Sequence, residues 1–115
     1  NLNVVLSEWT KRPDKPFLND NITLTSVAES LNVSPRLLSA YLNQIHTTNF
    51  NTWINRLRIQ EVKKLINDNS YKTLAEIAIQ TGFTDQAAMS NTFKRLTNMT
   101  PSEYKKLKTS KDQIS

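Results

Sequence analysis

The sequence predicts an all-α protein of about seven helices, built as two copies of a short helical unit joined by one long central helix. Three observations predict it. Apolar residues recur at helical spacing along nearly the whole chain, and no stretch alternates as a half-buried strand does. Residue n set against n+50 makes the chain match itself, pairing Leu24 with Leu74, Val27 with Ile77 and Ala28 with Ala78. The only glycine, Gly82, falls between two helical runs, where a sharp corner needs a left-handed residue.

The elements follow in order. Leu2, Val5, Leu6 and Trp9 lie at i, i+3, i+4 and i+7, a first amphipathic helix ending before Pro13. "KRPDKPFLNDN" is a connecting loop whose two prolines block helix continuation, so residues 1–19 read as an N-terminal helix and loop. A first helical unit follows over residues 20–49. Thr23 or Thr25 caps a short helix carrying Leu24, Val27, Ala28 and Leu31. Ser34 then supplies an N-cap and Pro35 the first residue of a helix expected to bury Leu38, Tyr41, Leu42 and Ile45.

Residues 50–67 are the linking helix. Phe50, Trp53, Ile54 and Leu57 line one side of its first half, while Ile59, Val62 and Ile66 line nearly the opposite side of its second. A surface helix keeps one apolar stripe, so the switch predicts a rod with a separate helical packet on each half. At 1.5 Å per residue the rod is roughly 27 Å long. The second unit spans residues 68–107. After "NDNSYK" comes a short helix with Leu74, Ile77 and Ala78, then the Gly82 corner, then a helix capped by Thr84 that buries Met89, Phe93 and Leu96. Thr100-Pro101 opens the closing helix with a capping box to Glu103, and residues 108–115 read as a flexible tail.

The repeat gives the corner its meaning. Asn32 pairs with Gly82, Val33 with Phe83 and Ser34 with Thr84; one inserted residue later the pairs are Leu38/Met89, Ser39/Ser90 and Leu42/Phe93. Both copies read as short helix, tight turn and capped second helix, which is the helix-turn-helix pattern. Asn32 serves as the turn residue because Asn tolerates the left-handed region. Burial of the apolar stripes leaves Arg36, Ser39, Ala40 and Asn43 outward in the first unit. It leaves Ala87, Ser90, Asn91 and Lys94 outward in the second, with Gln86 at the margin. These sets carry no large apolar group and suit a DNA major groove, where Arg matches guanine and Asn or Gln matches adenine.

Bulk chemistry narrows the function classes. The net charge is +5, which favours an anionic partner. Residues 1–57 hold five basic and four acidic groups, against ten and six over residues 58–115, so the second half carries most of the excess. No cysteine is present, which excludes disulfides and thiolate chemistry. No apolar run approaches the ~18 residues of a membrane span, and the first residues lack a signal-peptide layout. The start at Asn1 predicts a fragment of something longer. The lone histidine, His46, near a helix end, reads as a surface residue; the carboxylates are scattered and no Gly-rich phosphate loop exists. The expectation is a non-enzyme with no cofactor and no metal. Trp53, at helical spacing, reads as core. A helical protein-interaction module with non-specific anion binding is the alternative, and it would lose its affinity without sequence preference as salt rises.

Residues 20–107 resemble the DNA-binding domain of the AraC/XylS family of bacterial transcription regulators. The resemblance is carried by "LTSVAESLNVSPRLLSAYL", "NFNTWINRLRIQEVKKLI" and above all "LAEIAIQTGFTDQAAMSNTFKRLTNMTPSEYKK". It implies two helix-turn-helix units in adjacent major grooves of double-stranded DNA, acting in transcriptional activation from the cytoplasm. RNA polymerase is an implied partner, a sensing domain is implied elsewhere in the polypeptide, and this segment makes no membrane contact. The resemblance implies base-facing roles for Arg36, Ser39, Ala40, Asn43, Gln86, Ala87, Ser90 and Asn91. Ser34, Thr84, Lys94, Arg95, Lys105 and Lys106 are the implied phosphate contacts. Arg58 matches a characteristic arginine of the linking helix and is given a structural role, with Glu76 as a candidate partner. Departures from the family pattern are Thr47 and Asn98, where glycine is usual, and Ala88, where a bulky residue is usual. With Arg36 its sole charged group, the first unit reads as the weaker base reader.

Overall fold

In the computed structural model, residues 1–68 and 72–114 are described, with side chains as far as Lys108. They hold seven α-helices: α1 (Leu2–Thr10), α2 (Leu24–Ser30), α3 (Pro35–Ile45), α4 (Phe50–Asn67), α5 (Leu74–Gln80), α6 (Gln86–Thr97) and α7 (Pro101–Ile114). The chain divides into two compact units, Asn1–Leu57 and Arg58–Ser115, with the division inside α4.

In the N-terminal unit each helix starts where a side chain can take an orphan amide. Asn1 accepts the Asn3 N–H at 3.0 Å to open α1. Of the two threonines, Thr23 caps α2, accepting the Ser26 N–H at 3.1 Å while Ser26 Oγ accepts the Thr23 N–H at 3.0 Å. Ser34 accepts the Leu37 N–H at 3.0 Å and Pro35 takes the first helical position of α3. Between α1 and α2 the loop contains a short 3-10 turn, Pro16–Leu18, that periodicity did not reveal. It buries Phe17, whose ring sits 6.5 Å from Trp9; Trp9 in turn stacks on Trp53 of α4 at 5.4 Å. Leu38 and Leu42 of α3 are fully buried beneath this aromatic layer, with Val27 and Ala28 of α2.

The C-terminal unit packs Ile59, Val62 and Ile66 of α4 against Ile77 and Ala78 of α5 and against Met89 and Phe93 of α6. α4 is therefore one helix with two apolar faces, the first half supplying Trp53 and Ile54 to one core and the second half these three residues to the other. Thr81, fully buried at the end of α5, keeps its hydroxyl satisfied by donating to the Ile77 carbonyl at 2.7 Å. Tyr104 of α7 packs on Phe93 at 5.7 Å and bonds Asn67 through its hydroxyl.

The two helix-turn-helix corners use the same backbone device. Asn32 has φ 59° and Gly82 has φ 88°. In the first corner the Val33 N–H donates to the Ala28 carbonyl at 3.0 Å and the Asn32 N–H to Glu29 at 3.0 Å. In the second the Phe83 N–H donates to Ala78 at 3.0 Å and the Gly82 N–H to Ile79 at 3.3 Å. Both are Schellman closures, which satisfy two helix carbonyls through one left-handed residue. The repeat also runs further than the sequence match. α3 and α6 both end at a left-handed residue, Thr47 (φ 50°) and Asn98 (φ 66°). A capped helix follows each: the Thr52 N–H donates to Asn49 Oδ1 at 2.8 Å, and the Glu103 N–H to Thr100 Oγ1 at 3.1 Å. At an offset of 51, Trp53 then pairs with Tyr104, each the fourth residue of its helix.

Three expectations need correction, and one departure from the family pattern is accommodated by the backbone. The N-cap of α6 is Asp85, whose carboxylate accepts the Ala88 N–H at 2.8 Å; Thr84 is the inserted residue of the turn. Both residue types cap well, so spacing alone could not place the insertion. Ile45, expected in the core, is 60% exposed, and so lies outside it. It is the last residue of the 11-residue α3, while α2, the helix packed against α3, has only seven. Thr47 adopts the left-handed region despite its branched side chain, held by the Thr48 N–H donating to the Leu42 carbonyl at 3.2 Å and by burial of Thr48. Finally, α7 continues to Ile114 through most of the segment read as a tail, because nothing after Pro101 breaks a helix. Ser115, and residues 69–71 of the connection after α4, lie outside the described residues.

Candidate nucleic-acid interface

Each unit turns one helix face to the core and leaves the opposite face open, and the buried anchors decide which. On α3, Leu38 and Leu42 are completely buried. Arg36, Ala40 and Asn43, spaced i, i+4 and i+7, fall on the far side and are exposed, with Ser39 half-buried at the edge. On α6, Met89 and Phe93 are completely buried, while Gln86, Ala87, Asn91, Lys94 and Arg95 are exposed and Ser90 is half-buried. All eight residues read as base-facing thus lie on the open side or edge of these two helices, four on each.

Two exposed residues of α3 were absent from the sequence reading. Leu37, 52% exposed, and Gln44 share the open face with Ala40 at i, i+3 and i+7 spacing. The signal that could have found Leu37 was its spacing from Ala40, three residues on, which sets it on the same face as a residue already read as outward.

The charges on the two faces differ. Among the described residues, no side-chain hydrogen bond or ion pair within the protein engages Arg36, Lys94 or Arg95. Ser34 is a neutral cap, so the positive end of α3 is left to attract an anion, and Arg36 stands beside it. α6 begins with the Asp85 carboxylate, which offsets its own N-terminal dipole; its cations, Lys94 and Arg95, sit in the last turn. Thr84 is exposed in the turn before Asp85, and Lys105 and Lys106 are exposed on α7. Arg58 of α4 places its guanidinium 5.9 Å from the Phe83 ring centroid, against the residue that closes the second corner. Glu76 accepts the Thr73 hydroxyl at 3.2 Å at the start of α5.

His46 is the exposed C-cap of α3, edge-on to Tyr41 at 5.6 Å. Among the described residues no group of three or more His, Asp or Glu side chains could hold a metal ion, and no helix is long and apolar enough to cross a membrane.

Paired corners, a buried anchor pair behind each open face and unpaired cations on those faces define a DNA-binding helix-turn-helix protein. A family model described as a helix-turn-helix domain matches residues 27–107. The chain belongs to the AraC/XylS family: it is the DNA-binding domain of an AraC-type bacterial transcription regulator, in a family of DNA-binding proteins rather than enzymes. It is 31% identical over 85 residues to the uncharacterised HTH-type transcriptional regulator YijO of Escherichia coli, a match covering 74% of this chain and 30% of that one. The C-terminal domain of AraT, a response regulator from Geobacillus stearothermophilus, superposes with a TM-score of 0.76 at 28% identity, covering 90% of this chain and 84% of that one. The DNA-binding domain of AdpA, solved in complex with a target DNA, shares the fold at 17% identity, with a TM-score of 0.79 over 99% of this chain and 97% of that one. The chain spans less than a third of the length of the curated relatives it matches.

Proposed function

We infer that α3 and α6 are two recognition helices that enter adjacent major grooves of double-stranded DNA and read a two-box operator, as the cytoplasmic, nucleoid-bound part of a transcription activator. The observation that carries this reading is the duplicated device itself: two left-handed corners, each followed by a capped helix with its core face anchored and its opposite face open. One helix, α4, contributes residues to both cores, as expected of a helix that links two units.

In this reading Arg36, Ser39, Ala40 and Asn43 face the bases of one box, and Gln86, Ala87, Ser90 and Asn91 those of the other. Arg36 takes guanine through a paired hydrogen bond, and Asn43, Gln86 and Asn91 suit adenine. Ser34, Thr84, Lys94, Arg95 and Lys105 hold phosphates and set the register. The small residues Ala40, Ala87 and Ser90 let the helix backbone approach the base edges. Two modest contacts, tied together, bind as one strong site because the second forms at high effective concentration. A sensing domain in the remainder of the polypeptide and contact with RNA polymerase complete the proposed activator.

Selection of bound sequences from a random duplex library tests the reading. Two short enriched boxes about one helical turn apart are expected. A single box, or binding without sequence preference that disappears as salt rises, contradicts it.

A further inference from the structure

The open face of α3 carries one large apolar side chain, which neither phosphate binding nor hydrogen-bond readout uses. Leu37 is 52% exposed, lies in the first turn of the helix beside Arg36, and donates its backbone N–H to the cap Ser34 at 3.0 Å. It shares its face with Ala40 and Gln44, both exposed. In a helix-turn-helix it is the N-terminal residues of the second helix that meet base edges, so Leu37 stands where sequence is read. Nothing in a phosphate complements an isobutyl group. On a major-groove edge the apolar feature that does is the C5-methyl group of thymine. The equivalent residue of the second unit, at an offset of 51, is Ala88, which is shorter and half-buried.

We propose that Leu37 is a specificity-determining residue that packs on a thymine methyl group and gives the N-terminal unit a preference for thymine at one position of its box. The proposal rests on the two-groove reading above. It adds an apolar contact to a face whose only charged group is Arg36.

The test uses the chain on a site recovered by library selection, with each thymine replaced in turn by deoxyuridine, which lacks only the 5-methyl group. At one thymine the unaltered protein is expected to lose about fourfold in affinity, the worth of one buried methyl group. Leu37→Ala and Leu37→Gln should bind the original site more weakly by a similar factor and be indifferent to deoxyuridine at that position. Because the side chain is half exposed, both variants should melt with the unaltered protein. If no thymine methyl matters, or if Leu37→Ala loses as much as the unaltered protein on the same replacement, the proposal is wrong while the two-box reading stands. If selection enriches no sequence at all, the reading and the proposal fall together, before any deoxyuridine duplex is made.

Discussion

The N-terminal and C-terminal units repeat one backbone and differ in how they dress it. Corner one is made by Asn32 and corner two by Gly82; the helix that follows ends at Thr47 in one unit and Asn98 in the other, all four with positive φ. The geometry is the same, but the side chains that occupy it range from the least to the most resistant to it. Charge diverges as well. Residues 1–57 carry five basic against four acidic groups, and residues 58–115 ten against six. The N-terminal unit offers a neutral cap and Arg36 at the start of α3, whereas the C-terminal unit offers a carboxylate cap to α6 and places Lys94 and Arg95 at its end. The comparison teaches that the repeat conserves orientation of a helix face, while the contacts made by that face are free to move along it.

The largest expected effect breaks the corner that tolerates least. Gly82 is buried at φ 88°, so Gly82→Val should destabilise the C-terminal unit by about 2–3 kcal/mol. Asn32→Gly, at the matching corner, should shift stability by less than about 0.5 kcal/mol. Denaturation followed by circular dichroism measures both, and equal effects would show that the two corners are not equivalent in strain. Next, Arg36→Ala should weaken binding to the selected site by about 1–3 kcal/mol and relax preference at one base. Fluorescence anisotropy on single-base variants reads this, and an unchanged profile removes Arg36 from the bases. Lys94→Ala should lower affinity for every sequence alike and flatten the salt slope by about one. A loss confined to one sequence would instead make Lys94 a base reader. The smallest effect sharpens the second pair of turns: Thr47→Gly relieves a branched residue at φ 50° and should raise the stability of the N-terminal unit by about 1 kcal/mol. Asn98→Gly should change it by a few tenths at most.

Much of this was legible because the helices announce themselves twice. Val27, Ala28, Leu38 and Leu42 recur as Ile77, Ala78, Met89 and Phe93, and that recurrence places both corners before any coordinate is known. Periodicity, however, reports a direction, not the extent of what lies in that direction. Ile45 points toward the core stripe and still emerges into solvent, because it stands at the end of a helix longer than its packing partner. Leu37 was hidden differently: the open face was identified by its small and polar residues, and Leu37 is neither. Thr84 and Asp85 were indistinguishable as caps, since either oxygen can take the amide three residues on. Phe17 was invisible for another reason: a three-residue 3-10 turn that begins at Pro16 has no period to detect.

The stacked pair Trp9 and Trp53 has an optical consequence. The chain has two tryptophans, and both belong to the N-terminal core, with ring centroids 5.4 Å apart. Indole emission is therefore a private signal of one unit, while backbone ellipticity sums over both. Recorded together on a single melt, the two signals would overlay if the units unfold as one and separate if they unfold in turn. Nature has in effect labelled half of the repeat and left the other half dark.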